Sequence, residues 1–260
     1  MVLIIQQPPG LQPVWPFLSF SGTRQPPRLP RGVRIYAVGD VHGRADLLAQ
    51  LLARIDADLA RHPHPRPVEL FLGDYVDRGP ESRQVVDLLT KRSRSREMIF
   101  LKGNHETFIF DFLRNPASLD DWRQYGGFET LLSYGLRPQI KADLVERREL
   151  AMAFGHLLPG THKNFFASLE SSFTCGDFFF THAGVRPGVP LERQGEEDLL
   201  WIRDDFLLCE DAFGKFVIHG HTPVRQPDLR HNRLNIDTGA FATGRLTCLV
   251  LEEGTAAMLE

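Results

Sequence analysis

The sequence predicts an α/β fold of two sheets facing each other, with helices outside and a helical segment in the middle of the chain. Three observations carry that reading. In the first half, three apolar strand-like runs (residues 33–38, 68–72 and 98–101) each end in a short glycine-bearing loop and lead into a helical pattern. The middle of the chain, about residues 115–172, has helical spacing broken by Gly and Pro. Beyond it, strand-like runs return at 177–180, 215–218, 233–236, 246–251 and 256–259.

The elements follow in order. Residues 45–61 place Leu47, Leu48, Leu51, Leu52, Ile55 and Leu59 at helical spacing. Pro80 opens a second helix over 80–91, with Val85, Val86, Leu88 and Leu89 as its buried face. A third helix covers 105–113. This βαβαβα order implies mostly parallel pairing with right-handed crossovers. Helices at 127–134, 142–154 and 162–169 fill the middle. Residues 33–260 form one domain. Residues 1–32 hold seven of the 18 prolines, so they read as a flexible tail; Trp15, Phe17, Leu18 and Phe20 would be an apolar patch if that tail docks.

Bulk properties exclude several classes. A net charge of −3 over 260 residues offers no field for nucleic acid. No apolar run approaches a membrane span, and residues 1–5 are too short for a signal-peptide core. Three scattered cysteines (Cys175, Cys209, Cys248) without a C-x-x-C pair fit a reducing compartment. The expectation is a cytoplasmic protein with neither nucleic-acid nor membrane partners.

The loops carry the chemistry. Gly39-Asp40-Val41-His42-Gly43, Gly73-Asp74-Tyr75-Val76-Asp77-Arg78-Gly79 and Gly103-Asn104-His105-Glu106 each follow a strand, as do His182-Ala183-Gly184 and Gly220-His221-Thr222-Pro223. Ligands bind at that edge of open α/β sheets. Two carboxylates, one carboxamide and three imidazoles suit two hard or borderline cations, the arrangement by which many phosphatases activate water. With no thiolate in the set, Mn²⁺ or an Fe/Zn pair is expected over a structural zinc.

These segments resemble the motifs of the metallophosphoesterase superfamily, specifically its PPP-type serine/threonine phosphatases, from residue 33 to about 251 and including Ile236-Asp237-Thr238-Gly239-Ala240. They are most similar to the prokaryotic and bacteriophage-lambda-like members, with Trp122, Gly126 and Gly127, Leu200-Trp201-Ile202-Arg203 and Gly220-His221-Thr222-Pro223 in common. The resemblance implies a four-layer α/β/β/α sandwich with two mixed sheets and a dinuclear metal centre. It assigns Asp40, His42 and Asp74 to the first metal, and Asp74, Asn104, His182 and His221 to the second. His105 would be the proton donor, oriented by Asp77, while Arg78 and Arg203 would hold phosphate oxygens. A metal-bridging hydroxide would attack phosphorus directly.

The expected substrate is phosphoserine or phosphothreonine in a phosphoprotein, with any regulatory partner unknown. The alternative is symmetrical dinucleoside polyphosphate hydrolysis, and a third, less favoured reading is a non-catalytic binding module. The dinucleotide hydrolases typically read Val-Ala-Arg-Gly and Gly-Asn-His-Asp where this chain has Val76-Asp77-Arg78-Gly79 and Gly103-Asn104-His105-Glu106, which turns the expectation towards the protein phosphatase. Glu106 is expected to cap or hydrogen-bond near the site, without a catalytic role.

Overall fold

A computed structural model of the chain describes residues 11–14 and 26–260. Its first half runs β1 (Leu11–Pro13), β2 (Val33–Val38), α1 (Ala45–Arg61), β3 (Arg66–Phe71), α2 (Ser82–Arg92), β4 (Glu97–Phe100) and α3 (Asn104–Arg114). The helical middle is α4 (Leu119–Gln124), α5 (Gly127–Ser133), α6 (Leu144–Leu157) and α7 (Gly160–Ala167). Then follow β5 (Ser172–Cys175), β6 (Phe178–Thr181), α8 (Glu196–Trp201), α9 (Asp204–Leu207) and β7 (Phe216–His219). The chain ends with β8 (Asp228–Leu229), β9 (Arg233–Asn235), α10 (Ala240–Thr243), β10 (Cys248–Glu252) and β11 (Thr255–Leu259).

Two mixed sheets result. The first has the order β1-β11-β10-β2-β3-β4, with β2, β3 and β4 parallel and β10, β11 and β1 added antiparallel. The second has the order β5-β6-β7-β9-β8, with β6, β7 and β9 parallel and antiparallel strands at both edges.

Strand alternation sorts the core into layers, because successive side chains leave a strand on opposite faces. Ile35 and Ala37 of β2 and Val68 and Leu70 of β3 face Phe178 and Phe180 of β6 and Ile218 of β7, forming the core between the sheets. Tyr36, Val38 and Phe71 point the other way, onto Leu48, Leu51, Ile55, Val85 and Phe112 of the helices. Phe179 and Val217 likewise turn outward, to Leu199 and Phe206 of α8 and α9. The four layers expected from the resemblance are present.

The described parts of residues 1–32 depart from a loose tail. Leu11 pairs with Leu259 and Pro13 with Ala257, making β1 an edge strand. The Val14 N–H donates to the Ala256 carbonyl at 2.8 Å, and Leu29 is buried with its N–H on the Glu253 carbonyl. The free edge of β11 offers unpaired backbone groups, and an edge strand tolerates proline's missing N–H. Trp15, Phe17, Leu18 and Phe20 lie outside the described residues. β5 and β8 were also absent from the sequence reading; both are short edge strands that bury little. Among the described residues, no helix is long and apolar enough to cross a membrane.

Phe180 is fully buried between the sheets, two residues before His182. Phe180→Ala should lower stability by about 3–5 kcal/mol, read as an earlier denaturant midpoint with an unchanged slope.

Candidate metal centre

Parallel strands deliver their loops to one edge, so the segments after β2, β3 and β4 meet those after β6 and β7 above the inter-sheet core. The loops are drawn together tightly. A Cβ on Gly79 would collide with the His42 carbonyl oxygen, and one on Gly220 would collide with the Asp40 carboxylate. Five of the six non-glycine residues with positive φ among the described residues are site candidates: His42, Asp74, Asp77, Arg78 and His221. Left-handed backbone at such residues is costly and collects at functional sites.

Two groups of ligand atoms converge on Asp74. On one side, in a group that also includes His105, His42 Nε2 lies 3.3 Å from Asp74 Oδ2. On the other, His182 Nε2 lies 3.4 Å from Asp74 Oδ1, 3.0 Å from Asn104 Oδ1 and 3.2 Å from His221 Nδ1. His221 Nδ1 is 2.9 Å from the same Asn104 oxygen. Asp40 sits outside both tight groups. Its Oδ2 accepts the His221 backbone N–H at 3.1 Å, and its buried Oδ1 has no hydrogen-bond partner.

These residues fit a pair of cations. His42 Nδ1 donates to the Val76 carbonyl at 2.9 Å, and His182 Nδ1 donates to the Leu72 carbonyl at 3.0 Å. Each tautomer is thereby fixed, with the Nε2 lone pair turned to the site. Burial pushes His42 down to about 3 and also lowers His182 and His221, so all three rings are neutral donors. Burial opposes ionisation of Asp74, but His105, the largest of the influences against it, helps hold the carboxyl low. Asp40 is pushed well up by burial, then by Asp237 and Asp74, which is the repulsion a cation relieves.

His105 has a different environment. Its Nδ1 lies 2.7 Å from Asp77 Oδ2, while Nε2 is 3.7 Å from Asp74 and 3.2 Å from Arg78 Nη2. Burial works against the charged ring, but Asp74 and Asp77 prevail and raise it above the ordinary imidazole range. Asp77 is itself pinned: Trp122 Nε1 donates to Oδ2 at 2.9 Å and Thr130 Oγ1 to Oδ1 at 2.5 Å. Arg78 lies with its guanidinium 4.8 Å from the Phe241 ring centroid. Arg203 donates to Thr222 Oγ1 at 3.0 Å, one residue after His221. The contacts thus bring all ten sequence-predicted site residues into one neighbourhood, with Arg203 joined through Thr222 beside His221.

Sequence reasoning left several neighbours without a role. Asp237 is buried beside Asp40, is raised to about 6 mainly by burial, and keeps Oδ2 without a partner. Trp122 and Thr130 support Asp77 from α4 and α5; the Trp-x-x-x-Gly-Gly element was the available signal for the first. Glu106 behaves as expected, accepting the backbone N–H groups of Gly103, Asp74 and Tyr75 at 2.9, 3.0 and 2.8 Å. His219 stays in strand-end hydrogen bonding, with Nδ1 3.2 Å from the Gly220 carbonyl.

A family model of calcineurin-like phosphoesterases matches residues 33–243. Among curated relatives, an asymmetrical bis(5'-nucleosyl)-tetraphosphatase, PrpE, of Halalkalibacterium halodurans is 27% identical over 244 residues, covering 83% of this chain and 89% of its own. The PrpE of Anoxybacillus flavithermus is 26% identical over 240 residues, covering 82% and 88%. Among solved structures, the cold-active protein-tyrosine phosphatase of a psychrophilic Shewanella matches with a TM-score of 0.55 at 16% identity, covering 90% of this chain and 83% of that one. At that identity the match speaks for the fold.

Asp77→Asn should remove one of the charges that keep His105 protonated. Catalysis that needs the protonated ring holds below its raised pKa and fades as pH climbs through it. The descending limb of the kcat–pH profile should therefore move to lower pH in the variant, and kcat on an alkyl phosphate should fall by roughly 10²–10⁴. Trp122→Phe should move both in the same direction, by less. An unmoved limb in Asp77→Asn would remove Asp77 from this role.

Proposed function

The chain belongs to the calcineurin-like phosphoesterase family and is a phosphoesterase hydrolase; we propose that its substrates are dinucleoside polyphosphates, cut beside one nucleotide. The observation that carries this reading is the name shared by relatives spanning most of both chains, bis(5'-nucleosyl)-tetraphosphatase of the asymmetrical kind. It puts the sequence's alternative ahead of its first expectation and replaces the symmetrical cut with an asymmetrical one.

The sequence argument for a protein phosphatase turned on Asp77 and Glu106. Both are buried, and their carboxylates are occupied by the scaffold: Glu106 by backbone N–H groups, Asp77 by Trp122, Thr130 and His105. Both carboxylates are engaged within the protein, so these two residue identities alone do not report the substrate class.

In this reading Asp40, His42 and Asp74 hold one divalent cation, and Asp74, Asn104, His182 and His221 hold the second, with Mn²⁺ as first candidate and Fe/Zn as the alternative. Such a pair, once bound, supplies an activated water and neutralises charge at phosphorus. Arg78 and Arg203 fork onto phosphate oxygens, where planar guanidinium groups give paired contacts. His105 hands its proton to the leaving oxygen, and Asp77 keeps that proton available. The cytoplasmic assignment and the absence of nucleic-acid and membrane partners stay proposals from composition.

Hydrolysis of phosphoserine or phosphothreonine is the second reading, favoured by the 2.7 Å Asp77–His105 contact: a charged acid helps most where the leaving group is a poor alkoxide. A competition assay on the Mn²⁺-loaded protein separates the two. We expect diadenosine tetraphosphate to exceed phosphoserine and phosphothreonine peptides in kcat/KM by at least about ten-fold, a transition-state preference near 1.4 kcal/mol, with AMP and ATP as products. ADP as sole product would restore the symmetrical cut. A preference for the peptides would restore the phosphomonoesterase.

A further inference from the structure

Three aromatic rings from separate helical segments stand directly against the proposed metal and acid residues. Phe108 of α3 and Tyr125, just after α4, stack at 5.0 Å with an interplanar angle of 29°. Trp201, at the end of α8, meets Tyr125 at 5.9 Å and Phe108 at 6.2 Å, both edge to face. The wall touches the site at two points: Trp201 lies 6.2 Å from the His221 ring, and Tyr125 lies 5.8 Å from the His105 ring. Tyr125 is 38% exposed, and Phe108 and Trp201 are half-buried.

Phe108 and Trp201, but not Tyr125, also line a cavity of about 650 Å³. Phe108, Trp201 and Leu200 give it apolar walls, and Lys102, Thr107 and Glu196 line it with polar groups. Lys102 and Glu196 form an ion pair there. Its volume is in the range of small-ligand pockets, and its lining is mixed, with Glu106, Asp111, Arg114 and Glu197 among the charged groups.

We propose that Phe108, Tyr125, Trp201 and this cavity form the subsite for one nucleobase of the substrate. This rests on the dinucleoside polyphosphate reading and adds where the base binds. Every base presents a flat π face, so aromatic stacking holds bases without demanding one sequence or identity. The spacing also selects the phosphate. Because the wall abuts His221 and His105, a base resting on it leaves only the ribose to bridge to the centre. The phosphate attached to that ribose then lies at the reacting position, which agrees with a cut beside one nucleotide. The same wall could take an aromatic side chain of a phosphopeptide; the test below distinguishes the two.

The test measures binding to the Mn²⁺-loaded full chain by calorimetry, using AMP and ribose 5-phosphate, which differ only in the base. AMP should bind about 10- to 100-fold more tightly than ribose 5-phosphate. Trp201→Phe should keep most of that ratio, and Trp201→Leu should bring it close to one. Tyr125→Leu, altering a more exposed ring, should also reduce it, with thermal melts confirming that each variant is folded. Equal binding of the two ligands by the parent would overturn the subsite, as would a full ratio in both leucine variants. Tighter binding of a phosphotyrosine peptide than of AMP would assign the wall to peptide instead. Turnover of diadenosine tetraphosphate without a base preference would sink the subsite alone. A base preference without such turnover would sink the reaction and keep the subsite.

Discussion

The site depends on one buried carboxylate, Asp74, being held between two sets of ligands. Its backbone is locked from both neighbouring motifs: its carbonyl accepts the N–H groups of Val41 and His42 at 3.1 and 2.8 Å, and its own N–H donates to Glu106 at 3.0 Å. The His105 N–H reaches Asp74 Oδ1 at 3.2 Å. Three loops are therefore tied together through a single residue in left-handed backbone, a conformation that costs of order 1–3 kcal/mol when no glycine is present. The hydrogen bonds from the first and third motifs offset that strain and fix where the carboxylate points.

The rest of the chemistry follows from burying that carboxylate among imidazoles. Desolvation keeps His42, His182 and His221 neutral, while His105, the ring that is raised, is the largest influence holding Asp74 low against its own burial. The result is an anion flanked by lone pairs, with unpartnered polar atoms left on Asp40, His221 and Asp237. An unpaired polar atom in a protein interior is costly and calls for a partner, and a divalent cation would supply one for Asp40 Oδ1. His105 differs from the other rings because Asp77 faces it directly, and Asp77 can do so only because Trp122 and Thr130 hold its carboxylate. One set of rings is thus tuned for ligation and one ring for carrying a proton.

How much of this was legible in the sequence depended on distance along the chain. α1 matched its expected bounds because Leu48, Leu51, Leu52 and Ile55 repeat at helical spacing and are all buried. That the candidate ligands share one strand edge was legible because each follows an apolar run within a few residues, where a parallel strand must end. Roles that arise from tertiary contact were not. Thr130 reaches Asp77 across 53 residues and Trp122 across 45; the Trp-x-x-x-Gly-Gly element marked Trp122, and no local pattern announces the Thr130 bond. The aromatic wall draws Phe108, Tyr125 and Trp201 from three segments far apart in the chain, of which the sequence marked only Trp201, as part of Leu200-Trp201-Ile202-Arg203. Asp77 and Glu106 were legible as motif letters, but what their side chains bond, His105, Trp122 and Thr130 for Asp77 and backbone N–H groups for Glu106, was not. β1 escaped notice because its sequence, Leu-Gln-Pro, carries no strand signal without the β11 edge to pair with.

The most direct test of the shared carboxylate is metal content. Elemental analysis after loading with Mn²⁺ and desalting should find two ions per chain in the parent and about one in His42→Ala, which strips a ligand from one side only. Asp74→Asn keeps the side chain's shape and folds around the same backbone bonds, yet should lose both ions together. Two ions retained by folded Asp74→Asn, or a loss confined to one, would contradict the account in which Asp74 holds the two sites as a unit.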